Sequence, residues 1–285
     1  MTAPAPASAS IGVAVVTHNR RERLLASLEH LTRLPGRPPI VVADDRSTDG
    51  TRKAVSDRFP DIRIIAPRAT GAAARTEAAD ALGTDLVAFA DDDSWWAPSA
   101  FDRARAHFAR SPQLALLAAR VLVGPENRLD PVCDAMATSP LGTRPGLPGP
   151  AVLGFVACGA IVRREPFLAV GGFHPHFGIG GEEELLALDL RAAGGQLAYA
   201  GDVVAHHHPQ TGPRPGRSRH QARNAMWTAW LRRPARQALR VTAGSAIDEP
   251  RALAGLLRAL PWLLRERRAI PPDVEADVRT LEAAG

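Results

Sequence analysis

The sequence has little cysteine and no long apolar run. Its 285 residues include two cysteines, Cys133 and Cys158, which are too few for a disulfide framework or a cysteine-based metal cluster. No apolar run reaches the roughly 18 residues that a membrane-spanning helix needs, and residues 1–10 lack the charged start and apolar centre of a signal peptide. We therefore expect two small buried cysteines, a disordered Ala/Pro-rich tail over residues 1–10 and a cytoplasmic protein.

Acidic residues are missing from one long stretch of the chain. The net charge is +5, from 35 basic and 30 acidic residues, but no acid lies between Asp202 and Asp248. The same stretch carries a series of arginines: Arg214, Arg217, Arg219, Arg223, Arg232, Arg233, Arg236 and Arg240. Such a segment attracts anions, and nucleic acid, an anionic membrane surface and a phosphorylated substrate all meet that description.

The first ninety residues alternate apolar runs with helical patterns. The patterns predict buried strands at 11–16, 40–43, 62–66 and 86–90, and helices at 21–34, 51–59 and 71–82. Strands that alternate with helices indicate an α/β fold on a parallel sheet, in which polar groups collect beyond the carboxyl ends of the strands. Thr17, Asp45 and Asp91 each follow a strand, so we expect them to share one crevice.

The rest of the chain continues this pattern and then becomes helical. Strands are predicted at 114–123, around 158–162, at 197–200 and at 203–205, with helices from Pro98 and at 185–193. Residues 124–150, rich in Pro and Gly, indicate a long loop that could cover a substrate. We therefore divide the chain into a domain over 11–210 and a basic helical C-terminal extension over 211–285.

The extension has one strongly amphipathic segment. Leucines recur at helical spacing over 250–268, and Pro261 is expected to end or kink that helix. Its apolar face would pack on the domain, on a second copy in a homodimer, or on a membrane surface as a peripheral contact.

Three adjacent acids, Asp91, Asp92 and Asp93, follow the strand at 86–90. Carboxylates so close together repel one another, and a hard cation such as Mg²⁺ or Mn²⁺ would offset that repulsion through oxygen ligands. An ion held by one or two carboxylates keeps positions open for substrate phosphates, so this strand end is a candidate diphosphate site. The triplet is equally compatible with a solvated acidic loop in which one Asp caps the next helix.

Three further motifs occur with the acidic triplet in a characteristic order. They are Thr17-His18-Asn19-Arg20 after the first strand, an Asp-Asp-x-Ser-x-Asp-Gly turn at 44–50, and Gly71-x-x-x-Ala74-Arg75. Together with the Asp-x-Asp of residues 91–93, they resemble the inverting nucleotide-sugar glycosyltransferases of family 2 over about residues 11–230. The resemblance implies the GT-A fold, a single mixed and mainly parallel sheet flanked by helices. It also implies metal-dependent transfer of a sugar from a nucleoside-diphosphate donor to a hydroxyl acceptor of open identity.

The resemblance also assigns residues to the donor. Those expected near the nucleotide or its phosphates are Val16, Thr17, Asn19, Asp44, Asp45, Arg75, Asp91 and Asp92. A carboxylate at Asp44 or Asp45 is suited to accept a hydrogen bond from a base imide. The alternative is that residues 44–49 only form a turn and cap the next helix. Thr76 replaces the asparagine that usually follows the arginine in this family, so the contact there is open.

For the metal, the resemblance implies that Asp93 binds Mn²⁺ or Mg²⁺ directly. Asp91 would contact the ribose or reach the ion through water, and His206 would complete the site. Such an ion stabilises a departing nucleoside diphosphate by neutralising its charge. The alternative for the His206–His208 cluster is a strand end with one satisfied core imidazole.

The segment Gly181-Glu182-Glu183-Glu184-Leu185 takes the place of the family's Gly-Glu-Asp-x-Asp motif. Glu183 stands at the position of the catalytic base, and Glu182 is its substitute. A base there would take the proton of an acceptor hydroxyl that attacks the anomeric carbon opposite the leaving diphosphate, and that single displacement inverts the configuration. The alternative is that these acids only complement the dipole of the following helix.

Other functions are compatible with parts of the sequence. A nucleotidyltransferase would share the sheet and the metal chemistry, but it would normally carry a Gly-rich, Arg-containing loop where this chain has residues 17–20. The arginines of 214–240 would suit a non-catalytic nucleic-acid-binding protein, although we expect no nucleic-acid partner. The glutamate at position 183 is also compatible with a nucleotide-sugar binder that has lost catalysis.

Overall fold

Four parallel strands form the first half of the single sheet in the computed structural model, which describes residues 9–178, 180–209 and 216–284. They are β1 (Ile11–Thr17), β2 (Ile40–Asp44), β3 (Arg63–Ile65) and β4 (Leu86–Asp91), in the spatial order β3-β2-β1-β4, connected by α1 (Arg21–Thr32), α2 (Thr51–Arg58) and α3 (Ala74–Leu82). The pairing register sets Thr17 beside Asp44 and Val16 beside Asp91. The carboxyl ends of β1, β2 and β4 therefore meet at one edge.

The second half of the sheet is mixed. β8 (Ala160–Arg163) lies antiparallel between β4 and β6 (Leu114–Val123), β9 (Gln196–His207) runs parallel to β6, and β5 (Ser94–Trp96) pairs antiparallel with β9. The helices of this half are α4 (Ala100–Arg110), α6 (Arg164–Ala169) and α7 (Glu182–Ala192). The predicted fold class, a mixed and mainly parallel sheet flanked by helices, is confirmed.

Apolar side chains cover both faces of the sheet. Val13 and Val15 of β1 pack in one core cluster with Leu24 and Leu28 of α1, whereas Ala14 packs in a second cluster with residues of α3. Successive strand residues point to opposite faces, so a strand that is buried on both sides consists of consecutive apolar residues. This burial explains why the central strands were recognisable as short apolar runs without polar alternation.

One strand is longer than predicted. The strands predicted at 197–200 and 203–205 form the single strand β9. Its register against β6 shifts between Ala119 and Arg120. Such an irregularity lets β9 continue through Gly201 and Asp202, which interrupt its apolar run. The prediction of two strands was therefore wrong at this interruption.

The Pro/Gly-rich segment 124–150 is not a continuous loop. It contains β7 (Arg128–Leu129), which pairs with β6, and α5 (Pro131–Ala137). The side chain of Asp130 caps α5 by accepting a hydrogen bond from Val132 N at 2.9 Å, and Pro131 occupies the first turn. An Asp-Pro helix start was thus present in the sequence, but the surrounding Pro and Gly residues obscured it.

Four helices form the C-terminal region: α8 (Arg217–Arg232), α9 (Ala235–Asp248), α10 (Leu253–Glu266) and α11 (Pro272–Ala284). A helical C-terminal region was predicted, but α11 was not. Pro261 does not end α10, because it and Leu257 lie on the exposed face of the helix. Water can there satisfy the Leu257 carbonyl, which the proline leaves without an N–H partner.

The C-terminal helices pack on the α/β domain. Leu256 and Leu263 of α10 share an apolar cluster with Phe177 and Trp227, and Val278 of α11 packs with Leu188 of α7. None of the helices in the described ranges is long and apolar enough to cross a membrane.

Most of the predicted tail and one predicted domain boundary fall where the structure is not described. Residues 1–8 of the predicted tail and the boundary between residues 210 and 211 lie outside the described residues. Ser10 belongs to the folded part, since its N and Oγ donate to Asp85 Oδ2 at 2.8 and 2.7 Å. Cys133 and Cys158 are both buried free thiols, as expected.

Candidate active site

A cleft of about 550 Å³ opens at the carboxyl ends of β1 and β4. Its lining brings together many of the predicted donor and metal residues, namely Val16, Thr17, Asp45, Arg75, Asp91, Asp92 and Asp93. His207 and His220 also line it, without having been predicted. Within the part of the chain that the structure describes, the predicted Asn19, Asp44, Glu182, Glu183 and His206 are not among its lining residues.

Arginines offset the charge of the acidic triplet. Asp92 and Asp93 are buried, and Arg20 NH1 lies 3.0 Å from Asp92 Oδ1 and 3.2 Å from Asp93 Oδ2. Arg23 NH1 lies 3.5 Å from the same oxygen of Asp93. Thr17 Oγ1 donates to the other oxygen of Asp92 at 3.1 Å. Repulsion within the triplet is thus relieved partly by the protein itself, so the acids can remain buried without an ion.

Asp92 and Asp93 differ in their electrostatics. Burial raises the pKa of Asp92 to about 6, against the opposing effect of Arg20. Burial also opposes ionisation of Asp93, but His207, Arg20 and Arg23 outweigh it and lower the pKa of that carboxyl. Asp93 is therefore the better anchor for a cation, whereas Asp92 is held by Arg20 and Thr17.

The histidine that faces the acids is His207, not the predicted His206. His207 Nε2 lies 3.4 Å from Asp93 Oδ1. His206 stacks on Trp95, with ring centroids 5.6 Å apart, and its Nδ1 is 3.1 Å from Asn127 Oδ1. Because successive side chains of a strand point to opposite faces, only one of the two histidines can face the cleft. The sequence alone could not determine which of the two side chains faces the cleft.

The residues around His207 fit a divalent cation. The ligand atoms of Asp91, Cys158 and His207 lie within 4.8 Å of one another, and Asp93 approaches the same histidine. Burial raises the pKa of the Cys158 thiol well above its usual range, so the thiol stays protonated and is a poor ligand. Two carboxylates and an imidazole remain, a set of oxygen and nitrogen donors that suits Mn²⁺ better than Mg²⁺.

Arg75 lines the cleft and has buried hydrogen-bond donors beside it. Its buried side chain donates from NH2 to Asp91 Oδ1 at 2.5 Å, and NH1 lies 4.0 Å from Glu182 Oε1. Within the described residues, its Nε and NH1 are buried without a hydrogen-bond partner. Unpaired buried donors are costly to a fold. An anionic ligand in the cleft would satisfy them.

The turn after β2 is built from polar side chains. Asp45 Oδ2 accepts from Gly71 N at 2.9 Å, which ties this turn to the segment before Arg75. Asp44 Oδ1 accepts from Ser47 N at 3.2 Å, and Asn19 Oδ1 accepts from Thr48 N at 2.7 Å. Asp44 and Asn19 therefore shape the rim of the cleft, and only Asp45 lines it. This is in part the turn-forming role considered for residues 44–49.

A glycine loop leads into α7, and a residue from α8 fastens it. Gly180 and Gly181 both have φ of +97°, a left-handed conformation that favours glycine. Asn224 Nδ2 donates to Phe177 O at 3.1 Å and to Gly180 O at 2.5 Å. Arg223 NH2 also donates to Phe177 O, at 3.1 Å. Asn224 was not among the residues expected at the site from the sequence.

Glu182 and Glu183 have different surroundings at the start of α7. Glu182 is 2 % exposed and accepts a hydrogen bond from Gly180 N. Burial, and then the neighbouring Glu183, raise the pKa of Glu182 to about 8, so it is mostly protonated at neutral pH. Glu183 is only half-buried. It is therefore the more accessible of the two to an acceptor molecule.

The fold is shared with solved glycosyltransferase structures. The mannosyltransferase PcManGT from Pyrobaculum calidifontis, in complex with GDP-Man and Mn²⁺, aligns over 98% of this chain and 77% of its own, at 20% identity and a TM-score of 0.59. S. aureus TarS 1–349 in complex with UDP-GlcNAc aligns over 77% of this chain and 65% of its own, at 15% identity and a TM-score of 0.60. GalNAc-T7 with UDP, GalNAc and Mn²⁺ aligns over 80% of this chain and 48% of its own, at 16% identity and a TM-score of 0.59.

The sequence also matches one family over more than half of its length. A comparison with curated proteins finds no match, but residues 12–171 match the model for glycosyl transferase family 2. The matched part runs from β1 through α6 and includes the turn after β1, the turn after β2 and the acidic triplet. These observations confirm the resemblance noted in the sequence, and the chain belongs to glycosyl transferase family 2.

Proposed function

We propose that this glycosyltransferase moves a sugar from a nucleoside-diphosphate donor to a hydroxyl acceptor, with a divalent cation and with inversion at the anomeric carbon. The observation that carries the proposal is the cleft itself. It joins Asp91, Asp93 and His207 to Arg75, whose buried Nε and NH1 have no partner within the described residues. A cation site and an anion site side by side are what a metal-bound diphosphate requires.

The complexes of structural neighbours support this class of donor. PcManGT is in complex with GDP-Man and Mn²⁺, and TarS is in complex with UDP-GlcNAc. We assign the nucleoside to the β1 and β2 edge, with Val16, Thr17 and Asp45 in contact with it. Asn19 and Asp44 would act through the turn they stabilise. Asp45 would accept a hydrogen bond from the base, in addition to the one from Gly71 N.

We assign the cation to Asp93, Asp91 and His207, in place of His206. When bound, Mn²⁺ or Mg²⁺ would neutralise charge that builds up on the departing diphosphate. The chain's own part is to hold two ionised carboxylates at the end of β4, and Arg20 and Arg23 assist by keeping Asp93 ionised. Arg75 would donate to phosphate oxygens from the nitrogens that have no internal partner.

We assign the base to Glu183. Its half-exposed carboxylate would take the proton from the acceptor hydroxyl while the hydroxyl oxygen bonds to the anomeric carbon and the diphosphate leaves with the electron pair. Glu182 instead stabilises the Gly180–Gly181 turn, because its carboxyl is buried and bonded to Gly180 N. A single displacement of this kind inverts the anomeric configuration.

Two alternative functions have less support. The turn at residues 17–20 has no Gly-rich loop of the kind a nucleotidyltransferase would carry. For nucleic-acid binding, several arginines of the basic stretch are engaged inside the protein. Arg232 NH2 lies 3.0 Å from Asp189, Arg233 NH2 lies 2.8 Å from Glu275, and Arg223 stacks on Trp227 at 4.2 Å. We therefore keep the expectation that nucleic acid is not a partner.

The C-terminal helices suggest where the enzyme meets other surfaces. Exposed apolar residues on α9 and α10 are Leu239 (58%), Ile247 (80%), Leu257 (59%) and Leu264 (56%). Exposed arginines on the same helices are Arg236, Arg240, Arg258 and Arg265. In a twofold homodimer through these faces, like charges would oppose one another. We therefore favour peripheral contact with an anionic membrane surface.

The donor assignment is tested by a thermal-stability screen of nucleoside diphosphates with and without Mn²⁺. We expect one of them to raise the melting temperature only when Mn²⁺ is present, because cation and diphosphate would bind together. Asp93→Asn, which keeps the side-chain shape, should lose that response, and Asp57→Asn, on the exposed face of α2, should keep it. If no nucleoside diphosphate stabilises the wild-type protein, the proposal fails.

A further inference from the structure

A second cavity, of about 410 Å³, lies beside α7 and is bounded by α5, α11 and residues 152–154. Its lining is mainly apolar and includes Val132, Met136, Leu153, Leu188, Val278 and Leu281. The volume lies within the range of roughly 300–1,000 Å³ that is usual for small-molecule sites. No step of the proposed donor chemistry uses this cavity.

Two short chain segments connect the cavity to the donor cleft. Gly154 lines the cavity, and four residues later the Sγ of Cys158 lies within 4.8 Å of the ligand atoms of Asp91 and His207. Four residues of extended chain span at most about 14 Å. With the Cys158 side chain and the 4.8 Å to those ligand atoms, Gly154 lies within roughly 22 Å of the acids that would hold the cation, which an extended amphiphile can span.

The first turn of α7 makes the second connection. Glu182 lies toward Arg75, with Oε1 at 4.0 Å from NH1, whereas Glu184 lines the cavity. Successive residues of an α-helix are about 100° apart, so Glu183 points between the directions of Glu182 and Glu184. Glu183 itself lines neither the cavity nor the cleft, but a molecule that extends from the cavity along this turn would reach it.

The polar groups of the cavity limit the kind of molecule that fits. Ser139 Oγ is already satisfied, since it donates to Ala151 O at 2.7 Å. The remaining charged groups in the lining are the carboxylates Glu184 and Glu282, and Glu282 is paired with Arg233. Carboxylates accept hydrogen bonds from hydroxyls and repel anions. The lining therefore suits an uncharged molecule with an apolar body and a hydroxyl group.

We propose that this cavity binds the apolar body of the acceptor, an uncharged amphiphile whose hydroxyl extends along the first turn of α7 to Glu183. The inference rests on the proposed function, because it names the acceptor class for the same reaction. The hydroxyl proton goes to Glu183, the hydroxyl oxygen bonds to the anomeric carbon, and the bond from that carbon to the diphosphate breaks. Burial of the apolar body supplies the affinity.

Gly154 allows the cavity to be filled without backbone strain. A Cβ added at Gly154 meets nothing within 4 Å, and its φ is outside the left-handed region. Gly154→Phe should therefore place a ring in the cavity. Gly244, in α9, is equally open and does not line the cavity, so Gly244→Phe is the matched control.

The first measurement is a fluorescence titration with the uncharged apolar probe N-phenyl-1-naphthylamine. We expect saturable binding to the wild type and to Gly244→Phe, displaced by 1-octanol more strongly than by 1-butanol, and at least tenfold weaker binding to Gly154→Phe. Equal affinity in all three proteins would place the probe elsewhere and overturn the inference. So would the absence of saturable binding to the wild type.

The second measurement is transfer to a series of 1-alkanols, followed by mass spectrometry, with the nucleotide sugar whose diphosphate stabilises the protein. In the wild type, KM should fall about fourfold per methylene, equivalent to about 0.8 kcal/mol, and Gly154→Phe should flatten that dependence. A KM independent of chain length, or no transfer to any alkanol, would remove the acceptor role.

The two proposals can fail separately. Gly154→Phe should keep the Mn²⁺-dependent response to the nucleoside diphosphate, because Gly154 does not line the donor cleft. Probe binding without any diphosphate response would refute the proposed function and leave an apolar site. A diphosphate response without probe binding would refute only the cavity inference.

Discussion

His206 and His207 show how much a single position matters at the scale of the residue. Both lie at the end of β9, and because both are histidines, their chemistry does not distinguish them. They differ in the side of β9 on which each ring lies. On one side His207 approaches Asp93, and on the other His206 stacks on Trp95. Residue type alone therefore cannot identify which of the two histidines faces Asp93.

Substitution of the two histidines separates their roles. We expect His207→Ala to weaken Mn²⁺ binding in the presence of the nucleoside diphosphate by at least about tenfold, since even outer-shell partners of metal ligands contribute that much. His206→Ala, which removes a stacked ring outside the cleft, should leave Mn²⁺ affinity within a few-fold of the wild type. Isothermal titration with Mn²⁺ measures both. The reverse ranking would return the ligand role to His206.

The two glutamates at the start of α7 can be separated in the same way. Glu183→Gln should keep the affinity for diphosphate and Mn²⁺ but lower kcat by about 10²- to 10⁴-fold, the usual contribution of a general base. Glu182→Gln should change kcat little at pH 7, because Glu182, with a pKa of about 8, is already mostly protonated there. Product formation at saturating donor measures both variants. A larger loss in Glu182→Gln would transfer the base role to Glu182.

At the scale of the element, α8 supports the loop that leads into α7. The loop before α7 has three glycines in left-handed conformation, Gly178, Gly180 and Gly181, and Asn224 of α8 donates to the carbonyls of Phe177 and Gly180. A Cβ at Gly181 would lie 3.1 Å from Asn224 Cβ. The close approach of α8 therefore depends on glycine in that loop.

Loss of the Asn224 side chain should affect both stability and turnover. Asn224→Ala removes the donor of Gly180 O and leaves Phe177 O with the one from Arg223, and an unsatisfied buried polar group costs about 1–3 kcal/mol. We expect a lower urea midpoint together with a lower kcat, since Glu182 and Glu183 follow the loop directly. Ser56→Ala, at an exposed position of α2, is the control. An unchanged kcat despite lower stability would show that the loop does not position the base.

At the scale of the whole molecule, charge is distributed unevenly. The arginines of the C-terminal region divide into two groups. Arg232 and Arg233 pair with acids of α7 and α11, whereas Arg236, Arg240, Arg258 and others on α9 and α10 face solvent. Exposed leucines accompany the second group. Both helices therefore carry exposed arginines and apolar side chains, the combination on which the proposed contact with an anionic membrane rests.

Vesicle flotation tests the membrane contact. The protein should bind vesicles that contain phosphatidylserine, and it should bind pure phosphatidylcholine vesicles much less, with an affinity that falls as salt is added. The double variant Leu257→Gln and Leu264→Gln should bind more weakly, and Leu129→Gln, an exposed apolar position on β7, should not. Equal binding to both kinds of vesicle would contradict an electrostatic contact.

The sequence by itself determined the features that depend on local pattern. β1, β2 and β4 could be read as short apolar runs, because strands that are buried on both faces lack polar alternation. The helices between them could be read from a repeat of 3.6 residues, and the Asp-x-Asp of residues 91–93 is itself a local motif. The family motifs predicted the fold and the class of reaction. The acids at the end of β4 were expected in the crevice, and they line it.

Only the tertiary structure decided which distant side chains meet. The pairing of Arg20 with Asp92, the choice of His207, the clamp of Asn224 on Gly180 and the closure of the apolar cavity by α11 join residues far apart in the chain. Such contacts depend on the strand order, the register and the docking of helices. No local repeat encodes them, because each arises from packing of the whole chain.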